Sequence, residues 1–150
     1  METLTVLLGL VALATALGLV WRARTGRIQR SKTPVAAAAD ENRITIPGAE
    51  PFGTRITLLQ FSTAACAICP TVHTQLGALA DEFDDGTGSV VHVEVDVSAR
   101  PEIANQFNLL QSPTTFILDG NGVLQARIGG APKINDLRAE LDRMLGPVLV

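Results

Sequence analysis

The sequence predicts an α/β fold: a central mixed β-sheet flanked by helices, behind one N-terminal apolar helix. Three observations carry this. An uncharged apolar run, Leu4 to Trp21, opens the chain. Beyond residue 52, short apolar or alternating runs take turns with stretches of helical periodicity. The two cysteines, in Cys66-Ala67-Ile68-Cys69, fall where the first such run gives way to the first helical pattern.

The apolar run, LTVLLGLVALATALGLVW, is near the roughly 20 residues that cross a bilayer as a helix. Trp21 at its end suits the headgroup interface. A cleavable signal peptide is the competing reading. It is disfavoured because Met1-Glu2-Thr3 offers no Lys or Arg and the run is long for such a segment. Residues 1–22 are therefore expected to be a transmembrane anchor in contact with the lipid bilayer. Arg22, Arg24, Arg27, Arg30 and Lys32 cluster just beyond it. The positive-inside rule then puts the following domain on the cytoplasmic face, with the extracytoplasmic face as the alternative.

Residues 23–52 read as a basic flank and linker. Ser31-Lys32-Thr33-Pro34, an alanine run, Pro47-Gly48 and Pro51 break regular structure, and Arg43-Ile44-Thr45-Ile46 alternates like a short edge strand. Residues 53–150 read as the globular domain. From 33 onward there are seven Lys/Arg against fourteen Asp/Glu, an acidic balance that argues against nucleic-acid binding.

Within the domain, Ile56–Ser62 is apolar enough for a strand buried on both faces. Val72, Leu76, Leu79, Ala80 and Phe83 give helical spacing over 66–83, and Asp84-Asp85-Gly86-Thr87-Gly88 closes it. Val90–Asp96 alternates as V-V-H-V-E-V-D, a second strand. Pro101–Phe107 suits a short helix with proline in its first turn. Thr114–Leu118 and Val123–Ile128 are strands around Asp119-Gly120-Asn121-Gly122, a hairpin signal. Ile134, Leu137, Leu141 and Met144 mark a final helix stopped at Gly146-Pro147. The order is βαβα followed by ββα, with the first two strands parallel across a crossover helix.

Two cysteines three positions apart are too few for a stabilising framework and suit a site. A thiol at a helix N-terminus is near the positive end of the macrodipole, which favours the nucleophilic thiolate. Pro70 cannot donate to the carbonyl of Cys66, so the first turn is loose or the regular helix begins near Cys69.

This order, with C-x-x-C after the first core strand, resembles the thioredoxin family over about residues 53 to 146. Ser112-Pro113-Thr114 matches the family's Pro-Thr motif before the hairpin, Gly130-Ala131 matches a segment near the last strand's end, and Asp96 also aligns. The resemblance implies a thioredoxin-like fold and a protein-disulfide oxidoreductase needing no cofactor. Cys66 would be the nucleophile and Cys69 the resolving thiol, alternating with a redox-active Cys66–Cys69 disulfide. Pro113 would be cis, and Ser112, Pro113, Thr114 and Gly130 would form the substrate-binding surface. Disulfide-bearing proteins would be the substrates, and an upstream dithiol donor would restore the pair.

The departures from the family are specific. Its tryptophan before the first cysteine is Ala65, its Gly-Pro between the cysteines is Ala67-Ile68, and its buried aspartate six residues earlier is Gln60. The lysine beside that aspartate corresponds to His92. Gln60 cannot exchange a proton, whereas an imidazole can, with an unperturbed pKa of about 6.5. Two readings of His92 stand: proton acceptor for Cys69, or a half-buried strand histidine with a structural hydrogen bond.

Two other functions compete. Cys66, Cys69, His73 and His92 number the four ligands of a structural zinc, but lack the paired spacings of such sites. A non-catalytic, redox-responsive tethered module is the other, with Asp81, Glu82, Asp84 and Asp85 as its docking surface.

Overall fold

A computed structural model describes residues 2–30, 43–49 and 51–146. Part of the expected linker, with Lys32 and the alanine run, lies outside the described residues, as does Pro147. The helices are α1 (Glu2–Arg24), α2 (Cys69–Phe83), α3 (Pro101–Gln106) and α4 (Ile134–Leu145). The strands are β1 (Ile28–Arg30), β2 (Ile56–Ser62), β3 (Val90–Asp96), β4 (Thr114–Asp119) and β5 (Leu124–Gly129). They form one sheet in the order β1-β5-β4-β2-β3, in which β2 and β3 are parallel and the other pairs antiparallel. This is the expected thioredoxin-like fold with its mixed sheet.

All seven residues of β2 are buried, because apolar layers cover both faces of the sheet. On one face Leu58, Ile117 and Ile128 meet Val72 and Leu76 of α2 and Leu137 and Leu141 of α4. On the other, Leu59, Phe61 and Phe116 meet Ile103 of α3 and Ile44 and Ile46. Phe61 and Phe116 pack edge-on, with centroids 5.0 Å apart. Each large side chain fully buried in these layers contributes about 1.5–3 kcal/mol.

The edge of the sheet differs from the sequence reading. Arg43–Ile46 keeps its alternation, with Ile44 and Ile46 buried, but forms only an isolated bridge between Arg43 and Val123. The edge strand is β1, drawn from the basic flank and paired antiparallel to β5 with Ile28 opposite Ile128. Arg30 of β1 forks onto the buried carboxylate of Glu140 on α4, with Nε 3.0 Å from Oε1. Arg143 reaches the same carboxylate at 2.6 Å. These two guanidiniums pull the Glu140 pKa down to about 2, against the cost of burial.

α1 is long and apolar enough to cross a membrane: Glu2–Ala23 has mean hydropathy 2.3, and none of it is buried by the rest of the chain. At a rise of about 1.5 Å per residue it is roughly 34 Å long, matching a hydrocarbon core of about 30 Å.

Candidate active site

The chain leaves β2 at Ser62 and turns twice before α2. Cys66 N–H donates to the Thr63 carbonyl (3.0 Å) and Cys69 N–H to the Cys66 carbonyl (3.3 Å). Ser98 Oγ accepts from Ala64 N–H at 2.7 Å, fastening the turn to the loop after β3. The regular helix begins at Cys69 rather than Cys66, the second of the two outcomes Pro70 allowed. The carbonyl that Pro70 leaves free is thus taken by the Cys69 amide.

Cys66 and Cys69 are joined as a disulfide, with Cα atoms 5.5 Å apart. Cys66 is half-buried and Cys69 only 3% exposed. Both line an open cleft of about 610 Å³ with Ser62, His73, Glu94 and Asp96. Cys66 is therefore the more accessible of the two at the mouth of the cleft.

Register explains the floor and wall of this cleft. Gln60 of β2 stands opposite Glu94 of β3, and Leu58 opposite His92, so His92 and Glu94 share the face of Gln60 that α2 covers. Fully buried Gln60 donates its amide to the Cys69 carbonyl (3.2 Å) and to Glu94 Oε1 (3.3 Å). His92 Nε2 lies 3.1 Å from Gln60 Oε1. An amide oxygen only accepts, so Nε2 carries the proton. Among the described residues this is the ring's one hydrogen-bond partner. Burial, then the neighbouring His73, pushes the His92 pKa from 6.5 down to about 4. With its pKa held that low, His92 is neutral at physiological pH, and its hydrogen bond goes to Gln60.

The residue that sequence reasoning passed over is Glu94. It is a cleft-wall carboxylate, and its Oε2 pairs with His73 Nδ1 at 2.7 Å. The alternation V-V-H-V-E-V-D already placed it beside His92. Asp96, also on the wall, accepts from Ser98 N–H at 2.8 Å, which holds its pKa down together with the Ser98 hydroxyl.

The remaining expected residues lie along the same edge of the sheet. The Ser112–Pro113 peptide is cis. Thr114 follows it at the start of β4, opposite Phe61 at the end of β2, and its hydroxyl donates to the Gln111 carbonyl at 2.7 Å. Gly130 N–H donates to the Pro113 carbonyl at 2.8 Å, tying the two segments together. Gly130 is not open, however. It is buried with φ +82°, and a Cβ there would stand 2.5 Å from Cγ2 of Thr25.

The zinc alternative is not assembled. Both sulfurs are in the disulfide, His73 faces Glu94 and His92 faces Gln60. Among the described residues no three His, Cys, Asp or Glu are grouped to hold a metal. The acidic docking surface is largely occupied as well. Arg138 forks onto Glu82 (2.6 and 3.0 Å). Asp84 accepts from the Ser89 and Val90 amides, and Asp85 from Thr87.

Comparison with known proteins agrees with this geometry. The chain is 34% identical to thioredoxin H2 of Arabidopsis thaliana over 79 residues, 53% of this chain and 56% of that protein. It thus spans little more than half the length of that relative. It is 26% identical to a thioredoxin of Chlorobaculum thiosulfatiphilum over 92 residues, 61% of this chain and 82% of that one. The solved thioredoxin of Fasciola hepatica superposes with a TM-score of 0.51 at 25% identity, covering 61% of this chain and 83% of its own. A paired dithiol on this fold is the apparatus of thiol–disulfide oxidoreductases. The thioredoxin family profile matches residues 52–143, well over half of the sequence, and the chain belongs to that family.

Proposed function

We propose that this protein is a membrane-anchored thiol–disulfide oxidoreductase that exchanges disulfides with protein partners through Cys66 and Cys69. The observation that carries the reading is the unequal exposure of two bonded cysteines at the mouth of one cleft. In the reduced protein the Cys66 thiolate attacks one sulfur of a substrate disulfide and expels the other as a thiolate. Cys69, deprotonated, then attacks the mixed disulfide, releases the second substrate thiol and re-forms the Cys66–Cys69 bond. Two electrons pass to the substrate, and an upstream dithiol donor returns them.

Cys69 must lose a proton in the second step. Gln60 cannot take it, and His92 is a weak base with its Nε2 proton already donated to Gln60. Glu94 is the proton acceptor in this reading, since it lines the cleft with Cys69 and is held from both sides by His73 and Gln60. Ser112, half-buried ahead of the buried Pro113 and Thr114, presents the backbone against which an extended substrate lies. α1 anchors the domain in the bilayer, and the flanking cations favour the cytoplasmic face, where the direction of flow is reduction of partners.

The test is reduction of insulin disulfides by the full-length protein with dithiothreitol as donor. Turnover well above the uncatalysed rate, lost in Cys66→Ser, is expected. A rate no greater than dithiothreitol alone would instead leave the redox-responsive tethered module as the function.

A further inference from the structure

The anchor enters the sheet at the same end of its strands as the dithiol. β1 begins with Ile28 beside Ile128 near the end of β5, β5 ends at Gly129 beside Thr114, and Thr114 lies opposite Phe61 near the end of β2, just before the cysteines. Three strand spacings of about 4.8 Å separate β1 from β2, so the anchor's entry lies roughly 15 Å across the sheet from the cysteine turn.

The connection is short and fixed. The helical pattern of α1 continues to Thr25, whose N–H donates to the Trp21 carbonyl at 3.0 Å. Gly26, at φ +75°, then turns the chain and donates its N–H to the Gly129 carbonyl at 2.9 Å. A Cβ on Gly26 would stand 2.3 Å from the Ala131 carbonyl oxygen, and Thr25 lies directly on Gly130. Ile28 packs against the core and Arg30 is clamped by Glu140, so β1 cannot slide. Trp21, 74% exposed and suited to the headgroup level, is only about 6 Å of helix rise from Thr25. Because α1 is not buried against the domain, it leads away from this end rather than back over the sheet.

We propose that the domain is held with its dithiol end against the bilayer, and that its substrates are disulfides of membrane-bound proteins lying within roughly 20 Å of the headgroups. This rests on the anchor reading above. The far end of the sheet, with the β4–β5 turn at Asn121, faces bulk water. The segment that leaves the membrane also covers Gly130, so this part of the expected substrate surface is filled by the chain itself and substrate enters from the side of Cys66, Ile68 and Ser112.

The test uses full-length Cys69→Ser protein reconstituted in phosphatidylcholine vesicles. The vesicles carry a phosphatidylethanolamine whose headgroup bears a pyridyl disulfide, either on a short tether or on a polymer spacer of about 50 Å. Attack by the Cys66 thiolate breaks the pyridyl S–S bond, forms a stable protein–lipid disulfide and releases pyridine-2-thione, which is read by absorbance. Each rate is divided by that of the same lipid with glutathione. The short tether is expected to react several-fold faster, because effective concentration falls with tether length once the site is within reach. A short-tether rate equal to or below the long-tether rate would overturn the proposal, since the dithiol would then not be held at the membrane surface. Vesicle flotation separates the two failures. Protein that does not float overturns the anchor reading and this inference with it, whereas protein that floats and does not prefer the short tether overturns the orientation alone.

Discussion

Cys69 is 3% exposed and Cys66 half-buried, and the polar side chains around them sort into those that hold the site and those able to move its proton. His92 belongs to the first group, because its Nε2–H supports Gln60 and burial keeps the ring neutral. In the proposed mechanism Glu94 belongs to the second. Glu94→Gln is therefore expected to slow resolution of the mixed disulfide by about 10- to 100-fold, at the low end of general-base contributions. His92→Gln should change that step less than threefold between pH 6 and 8. Single-turnover kinetics with a peptide disulfide measure both, and the opposite ranking would return the proton to His92. The cysteine pair was legible in the sequence because a C-x-x-C and its position before a helix are local. Glu94 was legible in principle from strand alternation. Its relation to Gln60 was not, since that depends on a register set 34 residues away.

The elements with strong local periods were legible to within a few residues. β2, β3, α4 and the hairpin strands each carry their own hydrophobic pattern, and the largest shift is the start of α2, from Cys66 to Cys69. β1 carries no pattern of its own. Ile28-Gln29-Arg30 sits in a basic run, and its partners Ala126–Ile128 lie about a hundred residues on. What fixes it is Glu140, a charged residue in the apolar seam of α4 whose carboxylate Arg30 reaches from 110 residues earlier in the same chain. Its folded pKa of about 2 is below the ordinary carboxylate value, so this contribution is complete above about pH 4.5 and is lost as pH falls toward 2. Glu140→Gln should lower stability at neutral pH by about 1–3 kcal/mol, the worth of hydrogen bonds to a charged group. The difference in urea midpoint from wild type, measured in detergent micelles, should narrow steadily between pH 5 and pH 2. A difference independent of pH would mean that the carboxylate charge does not hold β1.

At the scale of the whole molecule, the fold and the cysteine pair followed from order and motif, while the path from α1 to the domain did not. The sequence suggests a loose tether across residues 23–52, yet the chain is knitted into the sheet by residue 30. A thioredoxin-family site is in this way carried on a short, fixed mount, with Ala65, Gln60 and Ile68 in place of the family's usual surroundings. Its central feature remains the proposed division of labour between a half-buried attacking thiol, Cys66, and a buried resolving one, Cys69. Mass spectrometry of the Cys69→Ser and Cys66→Ser proteins, each mixed with the same peptide disulfide, tests that division most directly. A stable adduct on Cys66 in the first and little or none on Cys69 in the second is expected. Adducts formed equally fast on both, or on Cys69 alone, would contradict the assignment of Cys66 as nucleophile.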